Sequence, residues 1–307
     1  MDTRQSLDAR AVGLMLVLCL IWSMQQILLK ATQADMAPVL QIAIRSGAGV
    51  LLVGLVMLSR HERLTVADGI WKPGVVTGVL FGLEFVMVGQ GLQYTSAAHS
   101  IVFLYTAPIF AALGLQWKLP SERLAPMQWL GILLAFSGIA VAFLLRGPSA
   151  LGPDMPNMLL GDFLALMGGL AWGATTVVVR TTRLAALPPT QPLQYQLLGG
   201  LVILPGAAML LGQTTFTLTP MLWGSLLFQS LMVSFVSYLA WYWLLSKYLA
   251  SPLGVFSFLT PIIGVILGAW LLSEPIEPAF LAGALLVLGG VVLVSGYGWW
   301  LQVMRRV

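Results

Sequence analysis

The chain has 307 residues, of which 59% are hydrophobic and 8% are charged, and its mean hydropathy is +0.92. Soluble domains carry about 25% charged residues, so this composition excludes a soluble globular protein. The formal net charge of +4 comes from basic residues that flank apolar segments, a distribution that argues against a nucleic-acid partner. The single cysteine, Cys19, excludes an intramolecular disulfide, and we interpret it as a lipid-facing or packed residue.

Ten apolar segments follow one another along the chain, each about as long as the roughly 20 residues that a helix needs to cross a bilayer. The first resembles the apolar core of a signal peptide after Arg10, but the nine further segments favour a retained helix. The sequence therefore predicts an all-α polytopic membrane protein with ten transmembrane helices. We place the spans at 11–31, 37–58, 73–93, 96–117, 126–145, 159–180, 190–212, 220–245, 249–272 and 279–300.

The basic residues at the ends of these spans and between them lie very unequally on the two sides of the membrane. Two of them, Lys30 and Arg146, fall on one side, and Arg45 lies within a span. An excess of Lys and Arg marks the cytoplasmic side, so we expect both termini to be cytoplasmic, in a cell inner membrane. The twelve on the cytoplasmic side are Arg4, Arg10, Arg60, Arg63, Lys72, Lys118, Arg123, Arg180, Arg183, Lys247, Arg305 and Arg306.

The two halves of the sequence carry the same motifs about 150 residues apart, which indicates an internal duplication. We predict a first five-helix repeat over 1–150 and a second over 151–307, joined by the Gly- and Pro-rich segment Arg146–Asn157. Because five is odd, the second repeat is inverted relative to the first. The recurring residues are Ser121, Glu122, Pro126, Gly131 and Gly138 with Ser273, Glu274, Pro278, Gly283 and Gly290; Phe103 and Pro108 with Phe256 and Pro261; and Trp22 and Lys30 with Trp172 and Arg180.

Prolines lie near the middle of spans four and nine, at Pro108 and Pro261. Each proline removes a backbone donor and leaves the carbonyl four residues earlier, Leu104 or Ser257, without its helical partner. Interrupted helices at matching places in two inverted repeats indicate a central binding site. The alternative is that the kinks only shape the bundle.

Glu84 is the acidic residue that lies deep within a span, and Arg45 is the comparable cation. An ionised carboxylate in hydrocarbon needs a cavity or a partner, which leaves three interpretations open. Glu84 couples transport to protons, contacts a substrate ammonium, or forms a structural ion pair with Arg45. Two further carboxylates, Glu122 and Glu274, fall near the starts of spans five and ten, where helix dipoles favour them in a structural role.

Amides and aromatic rings inside several spans are expected to point into the bundle, because amides in lipid need partners. A cavity lined by such groups suits a small molecule with a flat apolar body and a polar end. His99 is expected to line the external mouth or to titrate there. No cluster has metal-ligand spacing, so neither a metal nor another cofactor is expected. The predicted substrate-binding residues are Trp22, Gln25, Glu84, His99, Phe103, Tyr105, Pro108, Trp172, Gln229, Tyr238, Phe256 and Pro261.

Each half ends in the pattern Glu–x8–Gly–x6–Gly, and the stretches that lead to its glutamate read YTSAAHSIVFLYTAPIFAALGLQWKLPSE and YLASPLGVFSFLTPIIGVILGAWLLSE. From about residue 11 to 298, the sequence resembles the EamA family of the drug/metabolite transporter superfamily. That resemblance implies a basket of helices around a central cavity, reached from either side by rocking of spans three, four, eight and nine. Within the family, length and aromatic content are similar to those of YddG-type exporters of aromatic and other neutral amino acids.

The resulting hypothesis is a secondary transporter that exports small organic metabolites, aromatic or other neutral amino acids first, by alternating access. The alternative is an exporter of organic cations or drugs, in which Glu84 must be exposed to an aromatic cavity and not neutralised by Arg45. Coupling to protons and facilitated diffusion both fit. A sugar-phosphate carrier needs a basic cluster in the cavity, and the sequence offers Arg45 alone.

Other classes of protein are disfavoured because the sequence lacks the motifs that they require. The sequence has no GxxxxGK[ST] phosphate-binding loop, no paired aspartates or Ser/His set of an intramembrane protease, and no ion-selectivity filter. We therefore expect no enzymatic activity. The expected partners are a small-molecule substrate and the lipid bilayer, and the expected state is a monomer or a weak dimer. The GxxxG pairs Gly78–Gly82, Gly169–Gly173 and Gly264–Gly268 are interpreted as helix packing within the monomer, with a dimer face as the alternative.

Overall fold

The computed structural model describes residues 8–118, 124–145, 157–248, 253 and 256–304. The motif residues Ser121 and Glu122 and almost all of the predicted linker lie outside these ranges. In the described part of the chain, seven helical segments are long and apolar enough to span a membrane, and three shorter apolar helices bring the total to the ten predicted. The protein is an all-helical, multi-pass membrane protein built from two five-helix halves.

In the part of the chain that the structure describes, twelve named α-helices belong to these ten spans. Spans four and eight are each divided into shorter helices, and a π-helical segment, Phe228–Ser237, joins the two α-helices of span eight. The α-helices are α1 (Ala9–Ala31), α2 (Pro38–Ser59), α3 (Trp71–Tyr94), α4 (Ala97–Leu104), α5 (Ala107–Lys118), α6 (Pro126–Leu144), α7 (Met158–Thr181), α8 (Thr190–Leu210), α9 (Pro220–Leu227), α10 (Tyr238–Lys247), α11 (Leu259–Leu271) and α12 (Pro278–Met304).

Side-chain caps fix where several helices begin. Asp8 precedes α1 and accepts a hydrogen bond from the Ala11 N–H at 2.8 Å, and that bond holds the pKa of Asp8 below its usual value. Ser96 caps α4 through the His99 N–H at 3.1 Å, and Thr219 caps α9 in the same way. Such caps satisfy backbone donors that have no partner within the first turn of a helix.

Spans four and nine are interrupted just before their prolines, as the sequence predicts. α4 ends at Leu104 and α5 begins at Ala107, so the break falls immediately before Pro108. In span nine, Phe258 lies in a turn and α11 begins at Leu259, two residues before Pro261. The ring of a proline clashes with the preceding turn and lacks an N–H donor, which explains the interruption at both places.

The recurring glycines of the two repeats pack against each other. A Cβ atom on Gly131 would lie 2.7 Å from the carbonyl oxygen of Gly290, and one on Gly138 would lie 2.5 Å from that of Gly283. The last spans of the two halves, α6 and α12, therefore pack so closely that their backbones are in contact. The GxxxG pairs also contact helices of the same chain, as in Gly78 against the backbone of Tyr195 and Gly264 against Ile101.

Replacing Gly138 by alanine is expected to lower the free energy of unfolding by about 1–3 kcal/mol, because the new methyl group meets backbone rather than a movable side chain. Thermal unfolding in detergent measures the change. Gly13→Ala in α1 is the control, since a Cβ there meets nothing within 4 Å. Equal stability of the two variants would contradict this packing.

Candidate functional site

A cavity of about 160 Å³ lies between the helices, around the interruptions of spans four and nine. A buried cavity of about 150 Å³ accommodates benzene, so this one admits an aromatic ring or a molecule of similar size. α1, α3, α4, α7, α8 and α10 contribute to its wall. The lining residues are Trp22, Gln25, Gln26, Phe81, Glu84, Phe85, Leu104, Tyr105, Trp172, Leu193, Gln196, Tyr238, Trp241 and Ser257.

Aromatic rings make up half of this lining, and they contact one another edge to face. Trp22 and Trp241 have ring centroids 5.6 Å apart, and Tyr105 and Trp172 have theirs 5.3 Å apart. The indole Nε1–H of Trp22 also donates to the Ser237 hydroxyl at 3.0 Å, which orients that ring. Edge-to-face pairs hold rings in fixed positions, so the wall is a prearranged aromatic surface.

Glu84 presents its carboxylate to this aromatic surface. The side chain is 6% exposed, lines the cavity, and has no hydrogen bond or ion pair with another described residue. The ion pair with Arg45 that the sequence leaves open is not formed, because no Glu84–Arg45 contact falls within 4.0 Å. A buried carboxylate that no protein group satisfies leaves its acceptor capacity for whatever occupies the cavity.

Arg45 lies behind the wall instead of on it. Its side chain is 1% exposed, its Nη1 donates to Gln229 Oε1 at 2.8 Å, and its guanidinium carbon sits 4.5 Å from the centroid of the Phe85 ring. Gln229 in turn donates to the backbone carbonyl of Gln25 at 3.2 Å. The contacts of Arg45 are thus Gln229 and Phe85, and the described cavity wall contains no basic residue.

Six of the predicted substrate-binding residues come together on the cavity wall: Trp22, Gln25, Glu84, Tyr105, Trp172 and Tyr238. Gln229 lies behind the wall with Arg45. Pro108 and Pro261 are not on it, but Leu104 and Ser257, whose carbonyls they deprive of a helical partner, both are. Phe256 packs with the cluster around Cys19, whose thiol lies 3.4 Å from the Phe256 carbonyl oxygen.

His99 and Phe103 lie away from the cavity, in the end of the bundle opposite the N-terminus of α1. We call this the distal end, and the charge distribution predicts it to be external. His99 is 1% exposed, stacks on Phe280 with centroids 3.6 Å apart, and places Nδ1 3.0 Å from a carboxylate oxygen of Asp162. Asp162 also accepts a hydrogen bond from Thr95. His99 therefore belongs to a packed region rather than to an open mouth.

Two more charged groups fix the turn between α3 and α4 at the distal end. Lys30 Nζ donates to the carbonyl oxygens of Leu92 at 2.6 Å and Thr95 at 2.7 Å. Glu274 accepts hydrogen bonds from the backbone N–H groups of Ala97 at 2.7 Å and Ala98 at 3.0 Å. Glu274 does occupy a helix N-terminus, but that of α4 in the other half of the chain and not that of its own span ten.

Several wall residues are absent from the predicted set. Phe81 lies at i−3 from Glu84 on α3 and Phe85 at i+4 from Phe81, so helical periodicity around the buried carboxylate could have found Phe81 and, through it, Phe85. Gln26, Gln196 and Trp241 belong to the polar and aromatic residues of spans one, seven and eight. Leu193 gives no signal, since leucine is ordinary in any span.

The sequence matches the EamA-like transporter family model twice, over residues 9–144 and 159–296. The chain belongs to the EamA-like transporter family. It is therefore a transporter and not an enzyme. The uncharacterized transporter YvbV of Bacillus subtilis is 27% identical over 95% of this chain and 93% of its own length. The uncharacterized protein PA1977 of Pseudomonas aeruginosa is 28% identical over 94% of this chain and 95% of its own.

One solved crystal structure matches this fold with a TM-score of 0.65 and 20% sequence identity. The match covers 94% of this chain and 98% of the chain in that structure. At that identity the similarity shows the fold alone. The names of these relatives state no substrate, so the similarity does not single out YddG-type amino-acid exporters within the family. The substrate has to be argued from the cavity itself.

Proposed function

We propose that the protein is a secondary transporter of small organic amines that combine a protonated nitrogen with a flat apolar body. The observation that supports this proposal is the carboxylate of Glu84, which forms no hydrogen bond or ion pair with another described residue and lies in an aromatic wall whose described residues include no basic side chain. It meets the condition that the sequence sets for a transporter of organic cations.

The chemistry of the wall favours a cation for two reasons. An ammonium group gains a charge-assisted hydrogen bond from a carboxylate, and aromatic faces such as Trp22, Trp172 and Tyr238 attract a cation through their quadrupoles. A carboxylate on the substrate would find no oppositely charged group on the wall, since Arg45 lies behind Phe85. The cavity volume suits a molecule with one aromatic ring.

Export of aromatic or other neutral amino acids is the second candidate function. The observation in its favour is that Gln25, Gln26 and Gln196 line the cavity, because side-chain amides donate hydrogen bonds to a carboxylate. An amino acid would then bind its ammonium group to Glu84 and its carboxylate to amides. Neutral amides compensate a desolvated carboxylate less well than a guanidinium does, which is why the amine ranks first.

In either case the proposed mechanism is alternating access between the two repeats, 1–150 and 151–307, with both termini in the cytoplasm and net movement outward across the inner membrane. The hydrogen bonds of Glu274 and His99 at the distal end support a conformation that is closed on that side. Exit of an accumulated substrate down its own gradient needs no coupling ion. Exchange against a proton at Glu84 is the other energetic scheme, and transport with and without a pH gradient separates the two.

The experiment that tests the proposal compares substrates that differ by one carboxylate. Purified protein in liposomes is loaded with unlabelled 2-phenylethylamine, and counterflow of the labelled amine is followed with tryptamine, tryptophan or phenylalanine as competitor. We expect competition from tryptamine and little from the two amino acids. Equal competition by tryptamine and tryptophan would favour the second candidate, the amino-acid exporter. Absence of amine counterflow would overturn the proposal.

A further inference from the structure

We propose that Phe85 screens a hidden carboxylate-binding group, the guanidinium of Arg45, from the cavity and thereby determines which substrates the transporter accepts. This inference rests on the proposed function, because it assigns to one residue the preference of the cavity for a cation over a zwitterion or an anion. The carboxylate-binding group is already inside the protein, and one ring keeps it from the substrate.

The geometry puts the ring of Phe85 between the guanidinium and the cavity. Phe85 lines the cavity, whereas Arg45 does not, and the Arg45 guanidinium carbon lies 4.5 Å from the centre of the Phe85 ring. The guanidinium therefore packs on the ring of a residue that lines the cavity without lining the cavity itself. Glu84, the neighbouring residue on α3, reaches the cavity directly.

The guanidinium keeps unused hydrogen-bonding capacity. Nη1 donates to Gln229, but Nη2 is buried and has no hydrogen-bond partner among the described residues. A buried charged donor without an acceptor is costly, and the face of Phe85 compensates part of that cost through a cation–π contact. Nη2 is therefore available to an anion as soon as the ring no longer covers it.

This arrangement explains how a carboxylate-binding guanidinium can lie beside the cavity while the cavity excludes anions. It involves Glu84, Phe85 and Arg45. With the ring in place, a substrate meets the carboxylate of Glu84 and aromatic faces. Without the ring, it would meet Glu84 and Arg45 together, which is the complementary pair for the ammonium and carboxylate of an amino acid. Substitution at position 85 should then move selectivity from amines toward amino acids and aromatic acids.

The test uses 3-phenylpropionate, a probe with a carboxylate and no amine, and measures its affinity for detergent-solubilised variants by isothermal titration calorimetry. Phe85→Ala is expected to bind it at least about tenfold more tightly than the unmodified protein, the gain of one charge-assisted contact. Phe85→Leu, which keeps more of the packing, is expected to show a smaller gain in the same direction and serves if the alanine variant does not fold.

Phe81→Ala is the matched control. Phe81 lines the same cavity from the same helix, with its ring centroid 4.7 Å from that of Phe85, but Arg45 stacks on Phe85. Phe81→Ala enlarges the cavity similarly but uncovers no cationic group, so it is expected to bind 3-phenylpropionate no more tightly than the unmodified protein. Adding Arg45→Gln to Phe85→Ala is expected to remove the gain.

Equal affinity of the Phe81 and Phe85 variants for 3-phenylpropionate would overturn the inference, as would a gain that persists without Arg45. These readings do not depend on whether the unmodified protein transports amines. If 2-phenylethylamine shows no counterflow but Phe85→Ala gains affinity for 3-phenylpropionate as expected, the proposed substrate is overturned. The role of Phe85 is then still supported.

Discussion

Replacing Glu84 by glutamine is expected to reduce amine counterflow by about tenfold to a hundredfold while leaving a folded protein. The ammonium of a bound substrate loses its one ionic partner on the wall, and hydrogen bonds to charged groups contribute roughly 1.5–3 kcal/mol. Little stability is at risk, because Glu84 has no hydrogen bond or ion pair with another described residue that the substitution would break. Initial rates in proteoliposomes, with thermal unfolding of the same preparations, measure both effects.

Two further variants define the result for Glu84. Glu84→Asp keeps the charge on a shorter side chain and is expected to retain part of the transport, whereas Glu62→Gln, near the end of α2, is expected to transport normally. Glu62 accepts a hydrogen bond from Thr190 away from the cavity, so it controls for the loss of any carboxylate. Amine counterflow by Glu84→Gln at the unmodified rate would remove Glu84 from the mechanism.

The location of the candidate site was predictable because membrane burial restricts where polar groups can lie. Glu84 had to face a cavity or a partner, and the two prolines indicated the interrupted helices that border the cavity. Both inferences need local sequence alone. The partner of Arg45 was not predictable, because Gln229 lies 184 positions away and its amide is as plausible a partner as the Glu84 carboxylate until the helices are packed.

His99 shows a second limit. Its position at the start of span four correctly places it near the distal end, but sequence position cannot tell whether that end is open or packed. Phe280 from α12 and Asp162 from α7 enclose its ring, and both are distant in sequence. The duplicated glycines Gly131, Gly138, Gly283 and Gly290 marked only the repeat in the sequence, and the structure adds that they bring α6 and α12 into contact.

Replacing Glu274 by glutamine is expected to open the distal end. Glu274 joins the segment between α11 and α12 to the first turn of α4 by accepting two backbone hydrogen bonds, from Ala97 and Ala98. A glutamine can accept with one oxygen only and carries no charge to interact with the α4 dipole. Loss of one charge-assisted bond is expected to shift the closed–open equilibrium about tenfold or more toward the open form.

Distance measurements between spin labels read this equilibrium without a substrate. Replacing Cys19, the single cysteine of the chain, by serine allows labels at Gln93→Cys, at the end of α3, and at Ile276→Cys, beside Glu274. Glu274→Gln is expected to populate a longer distance between them. Glu277→Gln, a half-exposed carboxylate of the same segment, is the matched control and is expected to keep the short distance.

The position of Glu274 explains why a motif at the end of each repeat would matter for transport. Its carboxylate acts across the boundary between the halves, and the close approach of Gly264 to Ile101 brings α11 against α4 directly beneath it. In the proposed alternating-access cycle those helices separate at the distal end, and the two hydrogen bonds of Glu274 then break. An unchanged label distance in Glu274→Gln would show that apolar packing of α4 against α11, and not this carboxylate, holds the distal end closed.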